Sequence, residues 1–166
     1  MLIMPVGLVR TRITHGSGTD RVFGPTEAIG GDKGASPSLR LRILIVEDEV
    51  VVAMRLEDMV QDLGYVVVGT AASHAGAVAA AEASRPDLVL MDINLGRGGN
   101  GIEAALELRR RFDLPCVFLS AYLSSPSVRE QAQAAQPLGF VSKPYTERQV
   151  EAALTRAAEH LKPRTD

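Results

Sequence analysis

The stretch that decides the fold is LVLMD at residues 88–92, an apolar run that ends in the carboxylate of Asp92. Such a run predicts a buried strand. A second apolar run at residues 43–46 is followed directly by Glu47 and Asp48. In open α/β sheets, ligands bind at the edge formed by the carboxyl ends of the strands. The two runs therefore predict a cluster of carboxylates at one edge of a parallel sheet.

Strand and helix patterns alternate strictly from Leu41 onward. Strands are predicted at residues 43–46, 65–70, 88–92, 115–120 and 139–142. Helices are predicted at residues 50–63, 73–84, 102–111, 126–135 and 146–161, with Ser73 and Thr146 as N-caps. Five such units imply a parallel sheet with helices on both faces. We expect a flavodoxin-like (βα)5 three-layer sandwich of the α/β class, with strand order 2-1-3-4-5, which makes the first and third strands neighbours.

The chain of 166 residues is long enough for one α/β domain and too short for two ordinary ones. Residues 14–38 are rich in glycine and proline and cannot bury enough apolar surface to offset their ordering entropy. We therefore expect residues 1–39 to be a disordered leader, residues 40–162 to form the domain, and residues 163–166 to be a tail.

Charge and hydropathy narrow the classes of function. The formal net charge of −2 lacks the basic surplus typical of nucleic-acid or membrane-surface binding. No apolar stretch approaches the roughly 20 residues needed to span a bilayer, and the N-terminus lacks a basic signal region. A cytoplasmic protein is expected. The single cysteine, Cys116, excludes an internal disulfide framework and lies in an apolar run, which predicts a buried core residue.

Polar residues follow four of the predicted strands: Glu47-Asp48 after the first, Asp92 after the third, Ser120 after the fourth, and Lys143-Pro144 after the fifth. Oxygen ligands from clustered carboxylates are typical of a Mg²⁺ site. In this arrangement the chain resembles the receiver domain of two-component response regulators, and in plan the single-domain chemotaxis receiver. The resemblance covers about residues 41–161. It also implies a cis peptide bond between Lys143 and Pro144.

The resemblance implies how the carboxylates would hold Mg²⁺. Asp48 and Asp92 would each give one oxygen to the ion, and the backbone carbonyl of Asn94 would add a third protein ligand. Glu47 would act mostly through a water molecule.

The resemblance also assigns the phosphoryl chemistry. Asp92 would be the nucleophile that forms an aspartyl phosphate. Lys143 and Ser120 would contact the phosphoryl oxygens. Phe140 would be the switch aromatic that rotates inward when Ser120 moves, and Tyr122 would overhang the site.

The implied function is a stand-alone signalling switch that accepts a phosphoryl group from a histidine kinase or a histidine phosphotransfer domain. It would not be an enzyme, beyond catalysing its own phosphorylation and dephosphorylation. A protein partner would bind around the fourth helix, fifth strand and final helix. We expect no nucleic-acid partner, and a monomer or weak homodimer.

Alternatives remain at several positions. An Asp-nucleophile phosphohydrolase would need an acid two residues after Asp92, where Asn94 stands. A degenerate receiver that serves only as a docking module is disfavoured because all of the polar residues are present. Ser120 could be a simple turn hydroxyl, and Phe140 a plain core residue. Residues 96–101 match neither a dinucleotide fingerprint nor a P-loop, so we expect a flexible loop there.

Overall fold

Five strands and five α-helices alternate along residues 40–161, the part of the chain that the computed structural model describes. The strands are β1 (Arg42–Val46), β2 (Val66–Ala71), β3 (Leu88–Asp92), β4 (Cys116–Ser120) and β5 (Gly139–Ser142). The helices are α1 (Val50–Asp62), α2 (His74–Ser84), α3 (Gly101–Phe112), α4 (Pro126–Gln133) and α5 (Glu147–His160). The predicted bounds differ from these by at most two residues, the largest difference being the earlier end of α4. The predicted leader and tail lie outside the described residues.

All strand pairs are parallel, and the strand order is β2-β1-β3-β4-β5. The predicted flavodoxin-like topology is therefore confirmed. In the pairing of β1 with β3, Val46 lies opposite Met91. In the pairing of β3 with β4, Asp92 lies opposite Leu119. These registers bring the ends of β1, β3 and β4 to the same edge of the sheet.

The sheet separates two apolar cores, because successive side chains of a strand point to opposite faces. Leu44 and Val46 of β1 pack on the face covered by α2, α3 and α4. Ile43 and Ile45 pack on the opposite face, which α1 and α5 cover. Every residue of β3 and β4 is buried. The three-layer sandwich leaves the carboxyl edge of the sheet as the place where polar groups gather.

Two helix starts fix the loops beside that edge. The side chain of Asn100 accepts a hydrogen bond from the N–H of Ile102 at 2.8 Å and so caps α3. The N–H of Thr146, the predicted cap of α5, donates to the side chain of Gln149 at 2.8 Å. Polar side chains at these positions satisfy backbone groups that lack a partner inside the helix.

Part of residues 96–101, where we expect a flexible loop, has regular local structure. Gly96–Gly98 forms one turn of 3₁₀-helix, and Asn94 pairs with Asn100 in an isolated antiparallel bridge. Within residues 40–161, none of the helices combines the length and the apolar composition that a membrane-spanning segment requires.

Candidate functional site

Three carboxylates meet at the carboxyl edge of the sheet. Glu47 and Asp48 follow β1, and Asp92 ends β3. One oxygen from each lies within 4.8 Å of the others. The pairing of Val46 with Met91 produces this arrangement, since the next residues along both strands are the acidic ones. The prediction that carboxylates cluster at this edge of the sheet is confirmed.

Lys143 reaches the same cluster from β5. Its Nζ atom donates to Oε2 of Glu47 at 2.6 Å and to Oδ2 of Asp92 at 3.0 Å. The side chain of Glu47 is fully buried, and that of Lys143 is 20% exposed. The peptide bond to Pro144 is cis, as the resemblance implied. The Lys143–Asp92 contact follows the prediction, whereas the sequence did not predict the shorter contact of Lys143 with Glu47.

Burial sets the electrostatics of this cluster. Burial raises the pKa of the Glu47 carboxyl, the charge of Asp92 adds to this, and the hydrogen bond from Lys143 opposes it. Burial acts to lower the pKa of Lys143, but its hydrogen bonds to Glu47 and Asp92 outweigh burial and raise it. The ammonium group therefore stays charged, and it does not fully offset the cost of burying the Glu47 carboxylate. A second cation would stabilise the cluster further.

The other oxygen of Asp92 points to the following loop. Oδ1 of Asp92 accepts a hydrogen bond from the N–H of Asn94 at 3.2 Å. The side chain of Asn94 in turn accepts from the N–H of Gly96 at 3.1 Å. Asn94 is thus held two residues beyond Asp92, at the exposed side of the cluster. This is the position at which the resemblance places a ligand from its backbone.

Ser120 lies at the end of β4 and is buried, with 1% of its surface exposed. Its Oγ atom accepts a hydrogen bond from the N–H of Tyr122 at 3.0 Å. Tyr122 is itself 58% exposed. The hydroxyl of Ser120 thus orders the turn after β4 in this structure, which is the role that the alternative interpretation gave it.

Phe140 occupies the middle of β5 and is only partly buried. Its ring stacks on Phe118, with centroids 5.9 Å apart and planes inclined by 24°. The guanidinium of Arg129, on α4, lies over the Phe140 ring at 5.5 Å from its centroid. The ring therefore contacts both the core and the surface. This position is compatible with a switch aromatic and with a plain core residue, the two interpretations of Phe140 from the sequence.

Two glycines approach the acidic cluster closely: Gly96 of the β3–α3 loop and Gly101, the first residue of α3. Gly96 has a φ of +54°, and a Cβ atom there would lie 2.8 Å from Oδ2 of Asp48. A Cβ atom on Gly101 would collide with the backbone carbonyl of Asp92. Sequence analysis missed these contacts. The only signal was the density of glycine directly after the strand that carries Asp92.

An acidic cluster with one lysine at the carboxyl edge of a 2-1-3-4-5 sheet defines the class of receiver domains. Residues 43–155 match the family described as the response regulator receiver domain. The chain belongs to this family of two-component signalling proteins. Receiver domains are signalling switches rather than enzymes in the usual sense.

Characterised relatives differ in length from this chain. It is 37% identical over 116 residues to the phyllosphere-induced regulator PhyR of Methylorubrum extorquens, covering 69% of this chain and 42% of that protein. It is 36% identical over 117 residues to the transcriptional regulatory protein PdtaR of Mycobacterium tuberculosis, covering 70% and 56%. The chain thus spans about half the length of these relatives.

Solved structures support the same assignment. The receiver domain of PhyR from Erythrobacter litoralis is 34% identical and superposes with a TM-score of 0.64, covering 76% of this chain and 96% of that one. The receiver domain of a modulated diguanylate cyclase from Desulfovibrio desulfuricans is 29% identical, with a TM-score of 0.67, covering 73% and 95%.

Proposed function

We propose that Asp92 accepts a phosphoryl group from the phosphohistidine of a histidine kinase or a histidine phosphotransfer domain. The observation that carries this proposal is the meeting of three carboxylates within 4.8 Å, two of which share hydrogen bonds with Lys143. Two of the three carboxylates, Glu47 and Asp92, are buried, and burying like charges together costs folding stability because they repel and lose water. This cost favours a functional role for the cluster over a structural one. Phosphoryl transfer requires this concentration of charge around a nucleophile.

Asp92 is the best placed nucleophile among the three carboxylates. It lies at the strand end, with one oxygen held by the N–H of Asn94 and the other by Lys143. Attack by a carboxylate oxygen would form a P–O bond while the P–N bond to the donor imidazole breaks. The electron pair of the broken bond stays on the imidazole nitrogen, which takes up a proton. The ammonium group of Lys143 would then pair with a phosphoryl oxygen instead of with the Asp92 carboxylate.

The donor set fits Mg²⁺. All available ligands are oxygens, which a hard cation prefers, and the three carboxylates outnumber the one ammonium by two negative charges. Asp48, Asp92 and the backbone carbonyl of Asn94 would hold the ion, with Glu47 bound through water. When bound, Mg²⁺ supplies positive charge that offsets carboxylate repulsion and the charge of the phosphoryl oxygens.

Ser120 and Phe140 would convert phosphorylation into a changed surface. Ser120 ends β4, the neighbour of the strand that carries Asp92, and within residues 40–161 its hydroxyl is hydrogen-bonded only to the following turn. If that hydroxyl turns to a phosphoryl oxygen, the turn after β4 loses its anchor and moves. Phe140 contacts α4 through Arg129, so the movement would reach the surface formed by α4, β5 and α5. We propose that this surface binds a protein partner and that residues 40–162 form the switching domain.

Acetyl phosphate labelling followed by intact-mass measurement tests the central claim. With Mg²⁺ present, the protein should gain one phosphoryl group, and Asp92→Asn should gain none. Asp113→Asn is a matched control, because Asp113 is an exposed carboxylate at the end of α3, away from the cluster. Equal labelling of the wild type and Asp92→Asn would overturn the proposal.

A further inference from the structure

The surface formed by α4, β5 and α5 contains a groove with a volume of about 900 Å³. Three arginines line it: Arg129 from α4, and Arg148 and Arg156 from α5. Within residues 40–161, no acidic side chain contributes to the groove lining. A purely cationic groove is unexpected on a chain whose formal net charge is −2.

None of the three arginines forms an ion pair with another residue in the described part of the chain. Other arginines of the same chain do pair, such as Arg109 with Asp113 at 3.3 Å. Guanidinium groups carry their charge at every physiological pH and present several donors in a fixed plane, a geometry that matches carboxylates. The Nε atom of Arg156 donates to the backbone carbonyl of Ala152 at 3.2 Å, and its two terminal nitrogens make no hydrogen bond within residues 40–161. The groove thus offers guanidinium donors to carboxylates.

The arginines of α5 are spaced for a chain rather than for a single anion. Arg148 and Arg156 are eight residues apart on α5, a separation of about 12 Å along the helix axis. Ala152 lies midway between them and also lines the groove, which keeps the path between the two charges open. An extended peptide places alternate side chains about 7 Å apart, so carboxylates four residues apart would reach both arginines.

The floor of the groove is apolar and connects to the candidate site. Leu123, Phe140 and Val141 line it, so a bound segment would also cover apolar surface. Ser124 of the turn after β4 and Ser142 at the end of β5 line it as well. These residues lie close in sequence to Ser120 and Lys143, so the groove and the site share short stretches of chain.

We infer that this groove binds an acidic segment of a partner protein, with carboxylates on Arg148 and Arg156 and an apolar side chain against Leu123. This inference adds to the proposed function the chemical class of the partner. A signalling role for the groove rests on that proposed function. Binding itself requires only the unphosphorylated structure described above. Electrostatic recognition of this kind weakens with salt, since charges at a surface are screened.

Fluorescence anisotropy with a short fluorescein-labelled peptide of alternating glutamate and alanine tests the inference. The wild type should bind this peptide, and the matched lysine–alanine peptide should not bind. The double variant Arg148→Glu/Arg156→Glu should bind it about tenfold more weakly or worse, as expected for the loss of two charge contacts. The control Arg85→Glu/Arg110→Glu makes the same charge change at the residue that follows α2 and within α3, outside the groove lining, and should bind as the wild type does. Equal weakening in both double variants, or no binding by the wild type, would refute the groove as an acidic-segment site.

Two further measurements separate the outcomes. Sedimentation of the wild type at the same concentrations shows whether a second copy fills the groove; a dimer that Arg148→Glu/Arg156→Glu abolishes would overturn the inference in favour of self-association. Acetyl phosphate labelling of the same samples should be unchanged in both double variants. A wild type that is labelled on Asp92 but ignores the acidic peptide refutes the groove alone. A wild type that binds the peptide but is not labelled refutes the proposed function alone.

Discussion

The backbone of Gly101 lies so close to the carbonyl oxygen of Asp92 that a side chain at position 101 has no room. The N–H of Gly101 donates to the carbonyl of Ile93 at 2.8 Å, which ties the start of α3 to the end of β3. The first residue of α3 therefore helps to hold the backbone of Asp92, the candidate nucleophile, in place. The side chain of Asp92 is held separately, by Asn94 and Lys143. This makes the glycine part of the support of the site.

We predict that Gly101→Ala displaces the end of β3 and lowers the rate of Asp92 labelling by acetyl phosphate. The added methyl group meets backbone, which cannot move aside cheaply, so the free energy of unfolding should fall by about 1–3 kcal/mol. Urea unfolding and intact-mass labelling measure the two effects. Gly139→Ala is the control, since the nearest atom to its new Cβ would be 3.9 Å away. Wild-type behaviour of Gly101→Ala would contradict the packing.

A second prediction concerns the Lys143–Glu47 pair. Lys143→Ala leaves the buried Glu47 carboxylate without its ammonium donor, and we expect the free energy of unfolding to fall by about 1–3 kcal/mol. Adding Glu47→Gln removes the stranded charge and should restore part of the loss. Urea unfolding of the two single variants and the double variant gives the coupling energy. Strictly additive losses would show that the 2.6 Å contact contributes nothing to stability.

A third prediction concerns the metal. Asp48→Ala removes one of the three carboxylates that meet within 4.8 Å, so binding of Mg²⁺ measured by calorimetry should be lost. The fold should persist, because the removal of one negative charge relieves repulsion in the cluster. Asp58→Ala, on the exposed face of α1, is the control. Unchanged Mg²⁺ affinity in Asp48→Ala would argue decisively against the site.

The fold and the acidic cluster were predictable because both follow from local patterns. The apolar runs at residues 43–46 and 88–92 fix two buried strands, and the helices between strands force the parallel arrangement. Once β1 and β3 are neighbours, the meeting of Asp48 and Asp92 needs no further information. The N-caps Ser73 and Thr146 were predictable for the same reason, since a cap is a local property of the chain.

The features that sequence analysis missed depend on distances across the fold. Lys143 reaches Glu47 past two intervening strands, and only the length of its side chain makes the contact possible. His74 forms a 2.7 Å hydrogen bond with Glu107 that links α2 to α3. The tight approach of Gly101 to Asp92 depends on how α3 packs on the sheet. None of these contacts has a periodicity or a short motif that would reveal it.

A fourth prediction concerns Cys116, which lies in the core as expected. Burial raises the pKa of its thiol from 9.0 to about 12. Between these values the unfolded chain loses the thiol proton and the folded chain keeps it, so stability falls as pH rises; below this window the thiol has no effect. From about pH 8 to about pH 10.5, the wild type should lose about 2 kcal/mol more than Cys116→Ala does. Urea unfolding at both pH values measures this, and parallel losses would contradict the buried thiol.

The last prediction concerns the transmission of the signal. A phosphoryl group can shift a conformational equilibrium only through contacts that differ between the two states. Ser120 supplies such a contact, because its hydroxyl oxygen accepts from the N–H of Tyr122 here and its proton can be donated to a phosphoryl oxygen only in the phosphorylated state. Ser120→Ala should therefore still accept a phosphoryl group on Asp92, since the nucleophile, the acidic cluster and Lys143 remain. It should respond poorly, because no hydroxyl draws the turn after β4 inward.

Amide hydrogen exchange across residues 120–145, with and without beryllofluoride, measures that response. In the wild type, the phosphoryl mimic should change exchange in the turn after β4, in α4 and in β5. In Ser120→Ala these changes should be largely lost, while labelling of Asp92 by acetyl phosphate persists. Ser127→Ala is a suitable control, since Ser127 is an exposed hydroxyl at the start of α4. A full wild-type response in Ser120→Ala would leave Ser120 as a turn hydroxyl and Phe140 as a packing residue between Phe118 and α4.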